Sequence, residues 1–398
     1  MQTEPRSWVA PVVLLAGHAI KHTIASSFYI ILPEIQTGLG LSNTAVGIMA
    51  TARSSVGSIS NLPAGYMADR FSSSWALVLA LSLVGLGVCQ ALMGTLQGYW
   101  PILVASTIAG GATSFWHPAA VAALSYSYAE RRGLAIALHG TGGSIGEALG
   151  PIICGALLLA LGWQTILQLN LFPALLTAAG MMVLLRGLRS PDHAGTFADY
   201  LRSLRVLARN GPLIVLLVAM AGYSATQGAM ITFLPIYLRN DLHHSSIETA
   251  SFMFAANVAG IVSQPFMGLL SDRYGRKRVL FPCLLALAAG VFAVRIAPTG
   301  WPLLVAITLM GAFQFPLVSL FLANAMDIVQ SRVQGTTTSL VYGSSFLFSS
   351  LSPWVAGVLA DNYGVPAVFL YAAAIALVTA ALLLVPARPK AAVPHASD

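Results

Sequence analysis

Charge is scarce in this chain. Only 8% of its 398 residues are Asp, Glu, Lys or Arg, whereas 57% are hydrophobic. Soluble domains carry about 25% charged residues, so a soluble enzyme with a large core is excluded and a polytopic membrane protein is indicated. Cysteine is also rare: Cys89, Cys154 and Cys283 each sit within an apolar run, which leaves no disulfide framework to read. The N-terminus has no short apolar core followed by a small-residue cleavage site, and its first apolar run is too long for a signal peptide. No metal-ligand pair such as H-E-x-x-H and no nucleophile–base motif occurs. That argues against an intramembrane enzyme, and it assigns neither a metal nor a cofactor.

What is present is a series of apolar segments, each near the length of about 20 residues that a bilayer requires. Twelve are expected, at 8–32, 44–67, 75–97, 101–126, 134–161, 164–185, 212–238, 248–270, 279–297, 301–326, 336–359 and 365–386. Lipid offers backbone groups no partners, and the runs lack the alternation of barrel strands, so they are read as helices. The net charge is +7. A basic balance can signal nucleic acid, but here its distribution signals topology. About 16 of the 20 Lys and Arg fall on one side of the twelve-helix arrangement. The positive-inside rule places that side, with both termini, in the cytoplasm.

The longest polar interruption, 186–211, divides six helices from six. Residues 1–185 then form one bundle and 212–398 a second. Within the connection, "FADYLRSLRVLARN" sets Leu201, Leu204 and Leu207 at helical spacing opposite several Arg, which suits either an interfacial helix or a plain linker. The halves repeat each other at an offset near 200 residues. "FYIILPEI" (Phe28–Ile35) answers "AMITFLPIY" (Ala229–Tyr237), and "PAGYMADR" (Pro63–Arg70) answers "PFMGLLSDR" (Pro265–Arg273). "GPIICG" (Gly150–Gly155) answers "SPWVAG" (Ser352–Gly357). Parallel repeats about an axis along the membrane normal place a substrate site between the halves, near the midplane.

The turn "GLLSDRYGRK", Gly268 to Lys277, has a first-half twin in "GYMADRFSSS", Gly65 to Ser74. Its glycines let helix ends approach, and Asp272 or Asp69 can neutralise a neighbouring helix terminus. G-x-x-x-D-R-x-G-R-K resembles the loop signature of the major facilitator superfamily, complete at Gly268, Asp272, Arg273, Gly275 and Arg276, and partial at Gly65, Asp69 and Arg70. The resemblance implies an all-α membrane fold of two pseudo-symmetric six-helix bundles, alternating access, gating by these turns, and a monomer. In the fifth run, "GTGGSIGEALGPIICG" leaves one face nearly bare through Gly140, Gly143, Gly146 and Gly150, with a kink at Pro151. It resembles the fifth-helix G-x-x-x-G-P-x-x-G-G signature of proton antiporters, with Cys154 in place of the penultimate Gly.

"GHAIKH" in the first run, "SFWHPAA" in the fourth and "RRGLAIALHGTGGSIGEALGP" leading into the fifth are similar to the fosmidomycin-resistance branch of that superfamily. His18, His117 and Pro118 match its pattern. Lys21 and His22 stand where the branch tends to have Asn-Asp, and Ala119 where it tends to have Glu. The resemblance implies a proton-driven exporter in a bacterial inner membrane.

His18, Lys21 and His22, at i, i+3 and i+4, share one helix face that continues through Ala25, Ser26 and Tyr29. A charge near mid-membrane costs roughly 2.5–3.5 kcal/mol even on lenient scales, so this face is expected to meet the interior. Arg53, His117, His139 and Glu147 join it in the first half; Tyr223, Gln227, Asn257, Gln264, Gln314 and Asn324 form a milder, neutral set in the second. In a functional account, Lys21 and Arg53 bind an anionic group, with His18, His117, Tyr29, Gln227 and Asn257 completing the substrate site. Glu147, His22 or His139 then carries the coupled proton. In a structural account, Glu147 pairs with Lys21 or Arg53, and each His bonds a neighbouring carbonyl. The excess of cations favours an anionic cargo, such as a phosphonate or carboxylate, moved outwards with the proton gradient as energy source. A proton-coupled importer and a non-transporting receptor on the same fold are the alternatives. Protons, lipid and a small molecule are the expected partners; nucleic acid is not.

Overall fold

The computed structural model describes residues 8–70, 74–186, 188, 205, 210–329 and 350–384. Among them the secondary structure is helical, with no strand. The segment 197–210, expected as an interfacial helix or a plain linker, lies outside the described residues except at 205 and 210, and much of the eleventh apolar run lies outside them too. So do the side chains of Asp69 and Arg70.

The first bundle contains α1 (Val9–Leu39), α2 (Asn43–Arg70), α3 (Trp75–Thr95), α4 (Tyr99–Ser114), α5 (Trp116–Ser127), α6 (Arg132–Leu157), α7 (Trp163–Leu169) and α8 (Leu171–Leu184). The second contains α9 (Gly211–Ile236), α10 (Ser246–Tyr274), α11 (Arg276–Ile296), α12 (Trp301–Gln314), α13 (Pro316–Val329), α14 (Ser352–Tyr363) and α15 (Pro366–Leu383). Eight helical stretches among the described residues are long and apolar enough to cross a membrane by composition alone. The polar helices α2, which carries Arg53, and α6, which carries His139 and Glu147, are not among the eight and are held by their neighbours.

Local chemistry sets the boundaries. Gly40 ends α1 at φ 60°, and its N–H returns to the Gln36 and Thr37 carbonyls. Ser245 and Glu248 form a reciprocal capping box at the start of α10. The fourth, sixth and tenth apolar runs, expected as single helices, are each divided in two, at Phe115, Asn170 and Phe315. Proline is the cause. Pro118, Pro173 and Pro316 lack the N–H that would extend the preceding hydrogen-bond ladder. The breaks at Phe115 and Phe315 stand 200 residues apart, so the repeat is visible in the backbone as well as in the sequence. Pro33 and Pro235 also answer each other within α1 and α9, as do Pro63 and Pro265 within α2 and α10.

Small residues decide which helices touch closely. A Cβ at Gly142 would meet the Leu15 carbonyl, at Gly146 the Ala19 carbonyl, and at Gly150 the Ser26 hydroxyl. The bare face of α6 therefore lies flush on α1. Gly140, expected in the same stripe, has nothing within 4 Å; Gly142 takes its place. Between α4 and α2, Gly110 sits against the Arg53 backbone, and between α12 and α10, Gly311 sits against Ala256.

Candidate functional site

A cavity of about 390 Å³ lies between the two bundles. The first bundle contributes Lys21, His22, Tyr29, Arg53, His117, Glu147 and Pro151 to its wall; the second contributes Gln227, Asn257, Met230, Met253 and Gln314. The wall is thus charged on one side and neutral on the other. Ser54, Ser58, Asn61, Thr113 and Ser114 also line it. The sequence offered a weak signal for these: hydroxyls and one amide in the apolar runs already marked by Arg53 and His117.

His18 and His139 do not reach the cavity. They are 4% and 3% exposed and sit behind His22 and His117. The glycine contacts between α1 and α6 bring them together: Gly143 leaves room for the His18 ring, which stacks on His139 with centroids 3.9 Å apart. The His18 Nδ1–H donates to the His139 carbonyl oxygen at 2.7 Å. Trp116, fully buried, backs this pair with a centroid 5.9 Å from His18.

Lys21 is 4% exposed. Its ammonium donates to His117 Nε2 at 3.2 Å and to His22 Nε2 at 3.4 Å. The carboxylate of Glu147 lies 3.0 Å from His22 Nδ1. The structural pairing expected between Glu147 and Lys21 or Arg53 is therefore replaced by a chain, Glu147–His22–Lys21–His117. Arg53 is 6% exposed; its Nη1 donates to the Ser106 carbonyl at 3.4 Å, and its guanidinium lies 4.5 Å from the centre of the Phe28 ring. No carboxylate neutralises it among the described residues, and the Tyr29 hydroxyl is a further hydrogen-bonding neighbour. Asn257 donates across the bundles to the Glu147 backbone carbonyl at 3.0 Å.

Away from the cavity the bundles meet at one end. Arg239 pairs with Glu34 at 2.7 Å, and Asn240 donates to Gln36 at 3.0 Å. The Asp361 carboxylate accepts the backbone N–H groups of Asn43 and Thr44, each at 2.8 Å, and so caps a helix of the opposite bundle. The Thr51 hydroxyl accepts the Trp354 N–H, and Gly47 and Gly357 allow backbones from the two bundles to touch. Asp361 and Glu34 were not singled out from the sequence. A lone acid at a helix end carries no signal until the facing helix terminus is known.

The expected gating turn lies at the other end. Gly275 adopts φ 97°, joining α10 to α11 in a conformation suited to glycine. Arg276 pairs with Asp272 and, at 2.9 Å, with Asp327, while its Nη1 donates to Ser271 at 2.7 Å. Arg273 lies over the Tyr274 ring. The close approach expected at Gly268 is absent: a Cβ there would meet nothing within 4 Å. In this conformation the turn ties together helices of its own bundle.

Two repeated bundles around a central polar cavity define a secondary-transporter architecture, and comparison with known proteins agrees. The sequence model of the Major Facilitator Superfamily matches residues 14–263 and again 216–397, and the chain belongs to that superfamily. It is 23% identical over 366 residues to the fosmidomycin resistance protein of Escherichia coli K12, covering 89% of this chain and 86% of that one. It is 26% identical over 328 residues to multidrug resistance protein MdtG of Enterobacter lignolyticus, covering 79% and 76%. The fold matches an inward-facing, unoccupied bacterial homologue of the human lysosomal transporter Spinster with a TM-score of 0.82 at 13% identity, covering 96% of this chain and 97% of that one. The chain is thus a multi-pass membrane transporter and not an enzyme.

Proposed function

We propose that the chain exports a small organic anion, of the phosphonate or carboxylate kind, in exchange for protons by alternating access. The observation that carries this reading is the wall formed by Lys21 and Arg53. These two buried cations face the inter-bundle cavity, and neither is ion-paired with a carboxylate among the described residues. An anion entering the cavity gives these cationic donors an acceptor of opposite charge in place of neutral ones. The His22–Glu147 pair, which shares the cavity wall with Lys21, is the proton carrier: an acid–base pair that can be loaded from one side and emptied towards the other. The basic turn end faces the cytoplasm, so the cavity is reached from the donor side for export. Resistance relatives that share this architecture support the direction.

The test is flux in proteoliposomes under an imposed pH gradient, with a fosmidomycin-like phosphonate and, separately, a lipophilic cationic dye. Phosphonate movement opposite to the proton gradient supports the reading. Movement along it makes the protein an importer, and dye movement without phosphonate movement removes the anion site. Absence of any flux from correctly folded protein leaves the receptor alternative.

A further inference from the structure

Four imidazoles cluster near Lys21, with His22 and His117 on the cavity wall and His18 and His139 behind them. His18 stacks on His139, and its ring lies edge-on to His22 and His117 with centroids 4.6 Å and 4.9 Å away. A backbone carbonyl can only accept, so the bond from His18 to the His139 carbonyl puts the proton on Nδ1 and leaves a lone pair on Nε2. That Nε2 is buried without a hydrogen-bond partner among the described residues. Neither ring nitrogen of His139 makes a well-directed bond there, although the Leu14 backbone lies beside it. Buried acceptors left bare are unfavourable and call for an occupant.

One ring nitrogen from each of His18, His117 and His139 lies within 4.8 Å of the other two. An imidazole whose far N–H is held by a backbone carbonyl is already oriented as metal-ligating histidines are. The Gly143 backbone lies against the His18 ring, so that ring is fixed. The His18 and His139 rings lie only 6° from parallel, so bonds of about 2.0–2.1 Å from a metal to each nitrogen require His139 to turn out of that stack and the three nitrogens to close in by roughly an ångström. His117, at the cavity edge, has the freedom to turn. We propose that His18, His117 and His139 form a binding site for a divalent transition metal ion of the imidazole-preferring class, such as zinc, cobalt or nickel. Three protein ligands leave a fourth position open towards the cavity, where water or an anionic oxygen completes the shell. The Lys21 ammonium, donating to His117 Nε2, holds the cation position when the metal is absent. Lys21 and the metal therefore compete for His117.

The experiment uses the full chain, purified through a tag without histidine, with His193, His243, His244 and His395 changed to Ala so that four histidines remain. Cobalt chloride is titrated in and followed by its visible absorption, then displaced with zinc chloride. The expected result is one cobalt per chain with the intense bands of a four-coordinate site made of three nitrogens and one oxygen. His139→Asn and His18→Asn should each weaken binding at least about tenfold. Lys21→Ala should tighten it by about tenfold, because a unit positive charge beside the ion is removed. If the histidine variants do not fold, Lys21→Ala still decides the matter, since it leaves all three ligands in place. Sub-stoichiometric binding, binding indifferent to His18 and His139, or no tightening in Lys21→Ala overturns the proposal. Metal binding is read without flux, so its failure and that of the transport reading are separable.

Discussion

A primary ammonium buried among neutral rings is only partly satisfied. Lys21 donates to two imidazoles, which are weaker acceptors than a carboxylate or a phosphonate. Hydrogen bonds to charged groups contribute about 1.5–3 kcal/mol, so Lys21→Ala should weaken anion binding by roughly 10- to 100-fold while folded yield stays near wild type. Equilibrium binding of a phosphonate to purified protein checks this, and an unchanged affinity would assign Lys21 to packing. Glu147→Gln keeps the shape of the His22 contact and removes its charge. Downhill exchange of cargo should persist in that variant, while pH-gradient-driven accumulation is lost; accumulation at the wild-type rate would move the proton to a histidine. Part of this site was legible in the sequence. The spacing of His18, Lys21 and His22 fixes one helix face whatever the fold. That Lys21 meets His117 rather than Glu147 depends on how α1, α5 and α6 pack, and no local spacing encodes it.

At the scale of elements, the contact between α1 and α6 positions the site, because it sets His18 against His139 and His22 against Glu147. Its register depends on α6 having no side chains at Gly142, Gly146 and Gly150. Gly146→Val would drive methyl groups into the Ala19 carbonyl and the His22 Cβ. Overpacking of this kind costs about 1–3 kcal/mol, so a lowered melting temperature and loss of transport should appear together. Gly140→Ala, with open space around it, should leave both unchanged. Thermal unfolding in detergent, followed by tryptophan fluorescence, separates the two; equal effects would mean that the stripe is a matter of helix propensity alone. The three- and four-residue spacing announced a bare face, but Gly140 and Gly142 both fit such a stripe. The orientation of the partner helix decides between them. The helix breaks at Phe115, Asn170 and Phe315 had a readable cause in the prolines that follow, yet prolines such as Pro33 and Pro63 are carried inside continuous helices, so proline alone does not locate a break.

For the whole molecule, the two bundles are joined by polar contacts at the end where Asp361 caps α2 and Arg239 meets Glu34. The Gly268–Lys277 turn at the opposite end is tied to its own bundle through Arg276, Asp272 and Asp327. A transporter resting in this state must release the first set of contacts to expose the cavity on the other side. Any group that bonds only when the end is closed biases that equilibrium. Asp361 is such a group: its two 2.8 Å bonds run to N–H groups of the opposite bundle and are lost when the bundles separate. A side-chain cap contributes about 0.5–2 kcal/mol, so Asp361→Ala should raise the ratio of molecules open at this end to molecules closed there by about 2- to 30-fold. Spin labels at Leu96 and Tyr363, both exposed, would report it by double electron–electron resonance. The native cysteines are buried and need not interfere. A longer-distance population should grow in Asp361→Ala and be suppressed again by Asp361→Glu, if the longer carboxylate still reaches the helix end. An unaltered distance distribution would show that the glycine contacts at Gly47 and Gly357 hold that end by themselves, and that the carboxylate only satisfies an exposed helix terminus.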